Sequence, residues 1–152
     1  MNFTAGRMNK VTEISLVTLQ VITAGFLVLD TSWRTLPYWA AGIVIFAGFL
    51  AIWAILIMKV DNLKITPVPG EKARLVTKGP YRLIRHPMYA SLLILSLALT
   101  VSQFSILRLV AAILLAVDLL VKLGYEERLL MEKFPEYRSY RKGTYRLFPW
   151  LF

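Results

Sequence analysis

Apolar residues in this chain are gathered into four runs, each long enough to test against the roughly 20 residues that a helix needs to cross a bilayer core. Residues 11–29 form the first, with Glu13 at its edge, and residues 37–58 the second, with no charge inside it. Residues 87–101 are a shorter third run, and residues 106–123 a fourth that carries Arg108, Asp118 and Lys122. A soluble four-helix bundle needs polar faces, and residues 42–58 have none. The pattern predicts an all-α integral membrane protein with about four transmembrane helices. The last two helices form a C-terminal hairpin turning at residues 102–105, and the cytoplasmic tail is residues 124–152. One membrane-embedded domain is expected over residues 1–152, with no internal repeat or low-complexity tract.

Composition strengthens this reading, because 57% of the 152 residues are hydrophobic, against about 45–50% in globular chains. Charge then gives orientation. Arg7 and Lys10 precede the first run, and Lys59, Lys64, Lys72, Arg74, Lys78, Arg82 and Arg85 lie between the second and third. Lys122, Arg128, Lys133, Arg138, Arg141, Lys142 and Arg146 fall at or after the end of the fourth, and only Arg34 and Arg108 lie on the other side. Basic loops stay in the cytoplasm, so both termini and the middle loop are expected there. Membrane lipids with anionic headgroups are natural partners of such a face. Nucleic acid is not, because no soluble domain exists to bind it.

Exclusions narrow the chemistry. The chain has no cysteine and one histidine, so thiolate nucleophiles, disulfides and multi-histidine metal sites are not expected. The first run is long and no small-residue cleavage motif follows Leu29, unlike a cleavable signal peptide. Residues 62–70, with Pro67 and Pro69, read as an irregular cytoplasmic segment. Trp33, Trp39 and Trp150 read as interfacial belt residues.

Two segments carry candidate chemistry. In LVTKGPYRLIRHPMY, residues 75–89, Gly79-Pro80 marks a turn and Pro87 suits the first position of a helix. That helix start would offer free N–H groups to a carboxylate or phosphate. The bland alternative is a basic anchor loop with Tyr81 and Tyr89 as interfacial aromatics. The second segment is the end of the fourth run, where Asp118, Lys122 and Glu126 share one helical face. A carboxylate inside a membrane is costly and is usually paired or functional, and Lys122 could pair internally with Asp118 or Glu126. Glu126 and Glu127 point about 100° apart on a helix, so only one is expected to contact a ligand. Glu126 is the candidate, because it shares the face of Lys122.

LVTKGPYRLIRHPMY, then EERLLMEKFPEYRSYR and the closing YRLFPWLF, resemble the isoprenylcysteine carboxyl methyltransferases and the related membrane phospholipid methyltransferases. The resemblance runs from Leu75 to the C-terminus and rests on the combination of G-x-Y-x-x-x-R-H-P-x-Y, E-E and an aromatic tail. It implies S-adenosyl-L-methionine bound in a cytoplasmic pocket between the last hairpin and the C-terminal segment. The implied methyl acceptor is lipophilic or prenylated and enters from the bilayer. Carried over position by position, it places Leu75, Val76, Gly79, Tyr81, His86, Pro87, Tyr89 and Glu126 at the cofactor. Lys122 stands where the prenylcysteine enzymes have a substrate-facing arginine, and lysine lacks the planar two-pronged grip on a carboxylate. Ser91 and Pro135 replace glycines that the family commonly has. These departures bear on the acceptor more than on the cofactor.

The implied reaction is in-line transfer from a sulfonium, which needs nucleophile and methyl aligned at about 3–3.5 Å more than it needs an acid or base. A carboxylate acceptor needs no base and would be positioned by Lys122. An amine acceptor would need a base, with His86 or Glu127 as candidates. Two other readings compete. One is an NADPH-dependent membrane reductase of the sterol type, with Lys78, Arg82 and Arg85 on the phosphates, although such chains are usually longer. The other is a non-catalytic membrane protein.

Overall fold

The computed structural model describes residues 9–58 and 75–149. Within them the order is α1 (Lys10–Leu29), a 3₁₀ turn (Trp33–Thr35), α2 (Tyr38–Met58), a second 3₁₀ turn (Gly79–Arg82), α3 (Pro87–Ser102), α4 (Ile106–Lys133) and α5 (Tyr137–Lys142). There is no strand among the described residues, only one isolated bridge between Ile84 and Tyr145. The first three apolar runs match α1 to α3 within a residue at each end. Arg7, Lys59, Lys64, Lys72, Arg74, Trp150 and the irregular segment at 62–70 lie outside the described residues.

Local chemistry sets the helix ends. The Asn9 side chain accepts from Val11 N–H at the start of α1, and Ser105 does the same for Arg108 N–H at the start of α4, satisfying donors that have no partner within the helix. Pro87 opens α3 at its first position. The fourth run does not end its helix at residue 123. EERLLMEK continues α4 to Lys133, because Glu, Arg, Leu, Met and Lys are all good helix formers. Phe134 ends it in an extended conformation, as expected of a residue before proline. The expected tail therefore begins as helix.

Two helices, α1 and α2, are long and apolar enough to cross a membrane. Among the packed helix pairs are α1 with α4, α2 with α3, and α3 with α4. Leu27, Leu99, Ala111, Leu115 and Leu119 form one buried cluster, while Leu50, Ile84, Ala90, Leu123 and Leu147 form a second. The two short connections meet at one end of the bundle. There Ser32 N–H donates to Gln103 Oε1 at 3.0 Å and Gln103 Nε2 returns a bond to the Ser32 carbonyl at 2.9 Å. Beside them, buried Arg108 donates to Asp30 Oδ2 at 2.7 Å and to the Leu99 carbonyl at 2.9 Å. Arg108, one of two cations on this side, is thus consumed in tying α1, α3 and α4 together.

Candidate active site

The other end of the bundle holds the motif residues. Gly79 opens the second 3₁₀ turn at φ +57°, a left-handed conformation that glycine adopts without steric cost. A side chain there would also collide with α2, since a Cβ would lie 2.8 Å from Ile57 Cγ1. Pro80 follows, and its carbonyl accepts from Leu83 and Ile84 N–H at 3.1 Å each. This tight turn delivers Arg85 and His86 to the start of α3, where the His86 carbonyl accepts from Ala90 N–H at 3.0 Å.

The chain after α5 returns to the same place. Arg85 N–H donates to the Tyr145 carbonyl at 2.8 Å, Tyr145 N–H to Leu83 at 3.0 Å, and His86 N–H to Arg146 at 3.1 Å. Backbone pairing thus fixes the last described segment against the RHP stretch.

Glu127 is the hub. It is buried, with Oε1 2.7 Å from Arg85 Nε and Oε2 3.2 Å from Arg146 Nε. The Tyr137 hydroxyl donates to Oε1 at 3.4 Å. Arg85 Nη1 donates to the Arg141 carbonyl at 3.1 Å and to both oxygens of Thr144. Burial alone would raise the Glu127 carboxyl, but the facing His86 and Arg85 outweigh it and hold the group at about 2. Glu127 is thus held as an anion tied to Arg85 and Arg146. Arg85 is likewise committed, so it is not free to meet a phosphate.

His86 sits between the two acidic neighbours. Its Nδ1 is 3.6 Å from Glu126 Oε2 and its Nε2 is 3.7 Å from Glu127 Oε1. The Tyr89 ring stacks on the imidazole with centroids 5.5 Å apart and planes 3° from parallel. The Tyr89 hydroxyl donates to Glu126 Oε2 at 3.1 Å. Unlike Glu127, the Glu126 side chain keeps 26% of its surface exposed. Tyr81 is buried, its hydroxyl pushed well above its ordinary value by burial and then by the charges of Glu126 and Tyr140. Its carbonyl receives the Tyr140 hydroxyl at 2.5 Å. Among the described residues, the Tyr81 hydroxyl and His86 Nε2 are both buried without a hydrogen-bond partner.

The expected site residues thus fall into three groups. His86, Tyr89 and Glu126 converge, with Pro87 shaping the backbone that presents them, while Tyr81 lies buried in the preceding turn with Gly79. Leu75 and Val76 are half-buried in the stretch leading to Gly79. Lys122 lies one turn from Glu126 but is turned elsewhere: buried, it donates to Gln20 Oε1 of α1 and stands 3.9 Å from Asp118 Oδ2. Gln20, Arg146, Tyr137 and Thr144 were not among the expected site residues, and Arg85 was expected only as a phosphate contact. Their one advance signal was the Glu126-Glu127 pair, whose second carboxylate needed its own partners.

The described fold is a helical bundle with two membrane-length helices and a polar cluster at one end, the setting of a membrane enzyme. The family model for phospholipid methyltransferases matches residues 36–137, more than half of the chain, and the chain belongs to that family. Membership implies methyl transfer at a membrane. No curated protein matches the chain. The match ends at Tyr137, so the returning segment that engages Arg85 and His86 lies beyond it.

Proposed function

We propose that the protein is an S-adenosyl-L-methionine-dependent methyltransferase of a lipophilic acceptor, similar in its motifs to the isoprenylcysteine carboxyl methyltransferases. All four long helices cross the membrane in this reading, α3 and α4 as a hairpin. The polar cluster and both termini face the cytoplasm, on the side where the basic residues collect. The observation that carries the reading is the meeting of Glu126, His86 and Tyr89 around one partly exposed carboxylate at that end.

The donor set suits the cofactor. Glu126 would take its ammonium group, and the buried Tyr81 hydroxyl and His86 Nε2, which have no hydrogen-bond partner among the described residues, would meet its polar atoms. Leu75, Val76, Gly79 and Pro87 would wall the pocket, with Gly79 letting the turn pack closely against α2. Bound there, the cofactor supplies an electrophilic methyl group on a sulfonium. The chain's own work is alignment and exclusion of water: Arg85 and Glu127 fix the His86 loop, and the returning tail closes over it.

Two observations weigh against the alternatives. Arg85 is buried in an ion pair, which removes one of three cations that an NADPH phosphate would use. A non-catalytic anchor would gain nothing from buried, unpartnered polar atoms, each of which is costly. Methyl transfer from labelled S-adenosylmethionine into a lipid extract tests the proposal. Glu126→Ala and His86→Ala are expected to slow it at least about tenfold, and unchanged rates in both would sink the site assignment.

A further inference from the structure

The short helix α5 carries two separate sets of side chains. Tyr137 and Tyr140 face the site: the Tyr137 hydroxyl donates to Glu127, and the Tyr140 hydroxyl to the Tyr81 carbonyl. The α5 backbone joins in, since the Arg141 carbonyl accepts from Arg85. Arg138, Arg141 and Lys142 gather on a second face, where with Met131 of α4 they line an open cleft of about 440 Å³. All three cations are exposed. Arg141 Nη1 lies 3.5 Å from Met131 Sδ, so the cleft spans from α5 to the far part of α4. Among the described residues no acidic side chain lines the cleft, and none of the three cations has an ion pair. Arg138 stands three residues before Arg141 and four before Lys142, spacings at which like charges repel and weaken a helix. A helix this short has little stability of its own to spare.

We infer that this cleft receives the phosphate of an anionic membrane lipid, and that its occupancy steadies α5 and, through it, the site. The inference rests on the methyltransferase reading, with this end of the bundle at the cytoplasmic membrane surface. Three cations around one opening suit a phosphate: a guanidinium meets two of its oxygens at once, and lysine adds a point charge. Met131 offers an apolar wall to the glycerol and acyl carbons, which a free phosphate lacks. Anionic lipids of the cytoplasmic leaflet are drawn to basic residues held near the surface. This lipid is not the methyl acceptor, because the cleft opens on a face of α5 other than the one that meets Tyr81 and Glu127. A phosphate in the cleft removes the repulsion among the three cations. α5 then holds the Tyr81 turn and Arg85 more firmly, and cofactor affinity rises; by linkage, the cofactor raises lipid affinity by the same factor. The bland account is attraction of the whole basic surface to the membrane, which would make any two exposed cytoplasmic cations equivalent.

The test uses the full chain in two measurements. Native mass spectrometry compares retention of phosphatidylglycerol and phosphatidylcholine by the detergent-purified protein. Calorimetry measures S-adenosylhomocysteine affinity in phosphatidylcholine nanodiscs, alone, with phosphatidylglycerol added, or with inorganic phosphate added. Phosphatidylglycerol is expected to be retained at least about tenfold better than phosphatidylcholine, and to raise S-adenosylhomocysteine affinity about fivefold. The double variant Arg138→Gln/Lys142→Gln should bring both differences within about twofold. Lys10→Gln/Arg128→Gln, which removes the same charge from exposed positions outside the cleft, should keep both. Equal retention of the two lipids, a preference that survives the cleft variant, or an equal loss in the control variant would overturn the inference. An equal gain from inorganic phosphate would overturn it in favour of a soluble anion. Retention without any gain in S-adenosylhomocysteine affinity would overturn the coupling to the site. If the wild type binds no S-adenosylhomocysteine in any nanodisc, the methyltransferase reading fails and the coupling with it, while the retention comparison still decides whether the cleft holds an anionic lipid.

Discussion

Arg85 Nε stands 2.7 Å from Glu127 Oε1, and both side chains are almost wholly buried. The pair joins the turn before α3 to the far part of α4 and, through Thr144 and Arg141, to the returning tail. It is the joint that holds His86 in place. Removing one partner of a buried pair leaves an uncompensated charge and typically costs about 3–5 kcal/mol. Arg85→Leu and Glu127→Leu should each lower the unfolding midpoint in detergent strongly, and the double variant should lose much less than their sum. Additive losses would show that the pair does not act as a unit.

Glu127 also predicts a pH dependence. Its folded value of about 2 lies below its ordinary 4.5, so the stability it contributes is fully present above pH 4.5 and is lost as pH falls toward 2. Thermal unfolding of the wild type should weaken across that window more than that of Glu127→Gln, which has no such proton to take up. Parallel curves for the two proteins would contradict the assignment.

Gly79 is required for two reasons that a double variant separates. Gly79→Ala meets a positive φ and a Cβ 2.8 Å from Ile57 Cγ1. A cost of about 1–3 kcal/mol is expected from the conformation and the clash together. Adding Ile57→Ala to this variant should recover the clash and leave about 1 kcal/mol of backbone strain. The measurement is the unfolding midpoint of Gly79→Ala, Ile57→Ala and the double variant.

Arg108 tests whether the two ends of the bundle are independent. It is buried at the end away from the site, bonded to Asp30 and to the Leu99 carbonyl. Arg108→Leu should cost about 2–4 kcal/mol and leave S-adenosylhomocysteine affinity within about twofold. A large loss of affinity in a folded variant would mean that this end shapes the site.

The helices and the turn chemistry were legible because they depend on short stretches: the charge-free run of α2, Pro87 opening α3, and Gly79-Pro80 in a tight turn. The motif resemblance named His86, Tyr89 and Glu126 together, and in the structure their side chains are in contact. Sequence treated Glu126 and Glu127 as competitors for one ligand, because their directions diverge. In the fold that divergence is used, with the two carboxylates facing the two nitrogens of one imidazole. What sequence could not reach depends on the chain folding back over long separations. Gln20 meets Lys122 across 102 residues, and Thr144 meets Arg85 across 59. Polar residues of that kind look like ordinary helix or tail positions until their partners arrive.

The central claim is that the Glu126 cluster holds S-adenosylmethionine. Calorimetric titration of the detergent-purified protein with S-adenosylhomocysteine tests it most directly, with NADPH in parallel and Glu126→Gln as the variant. The account predicts saturable binding of S-adenosylhomocysteine, weakened at least about tenfold in Glu126→Gln, and no binding of NADPH. Binding of NADPH instead, or of neither by folded protein, would contradict it.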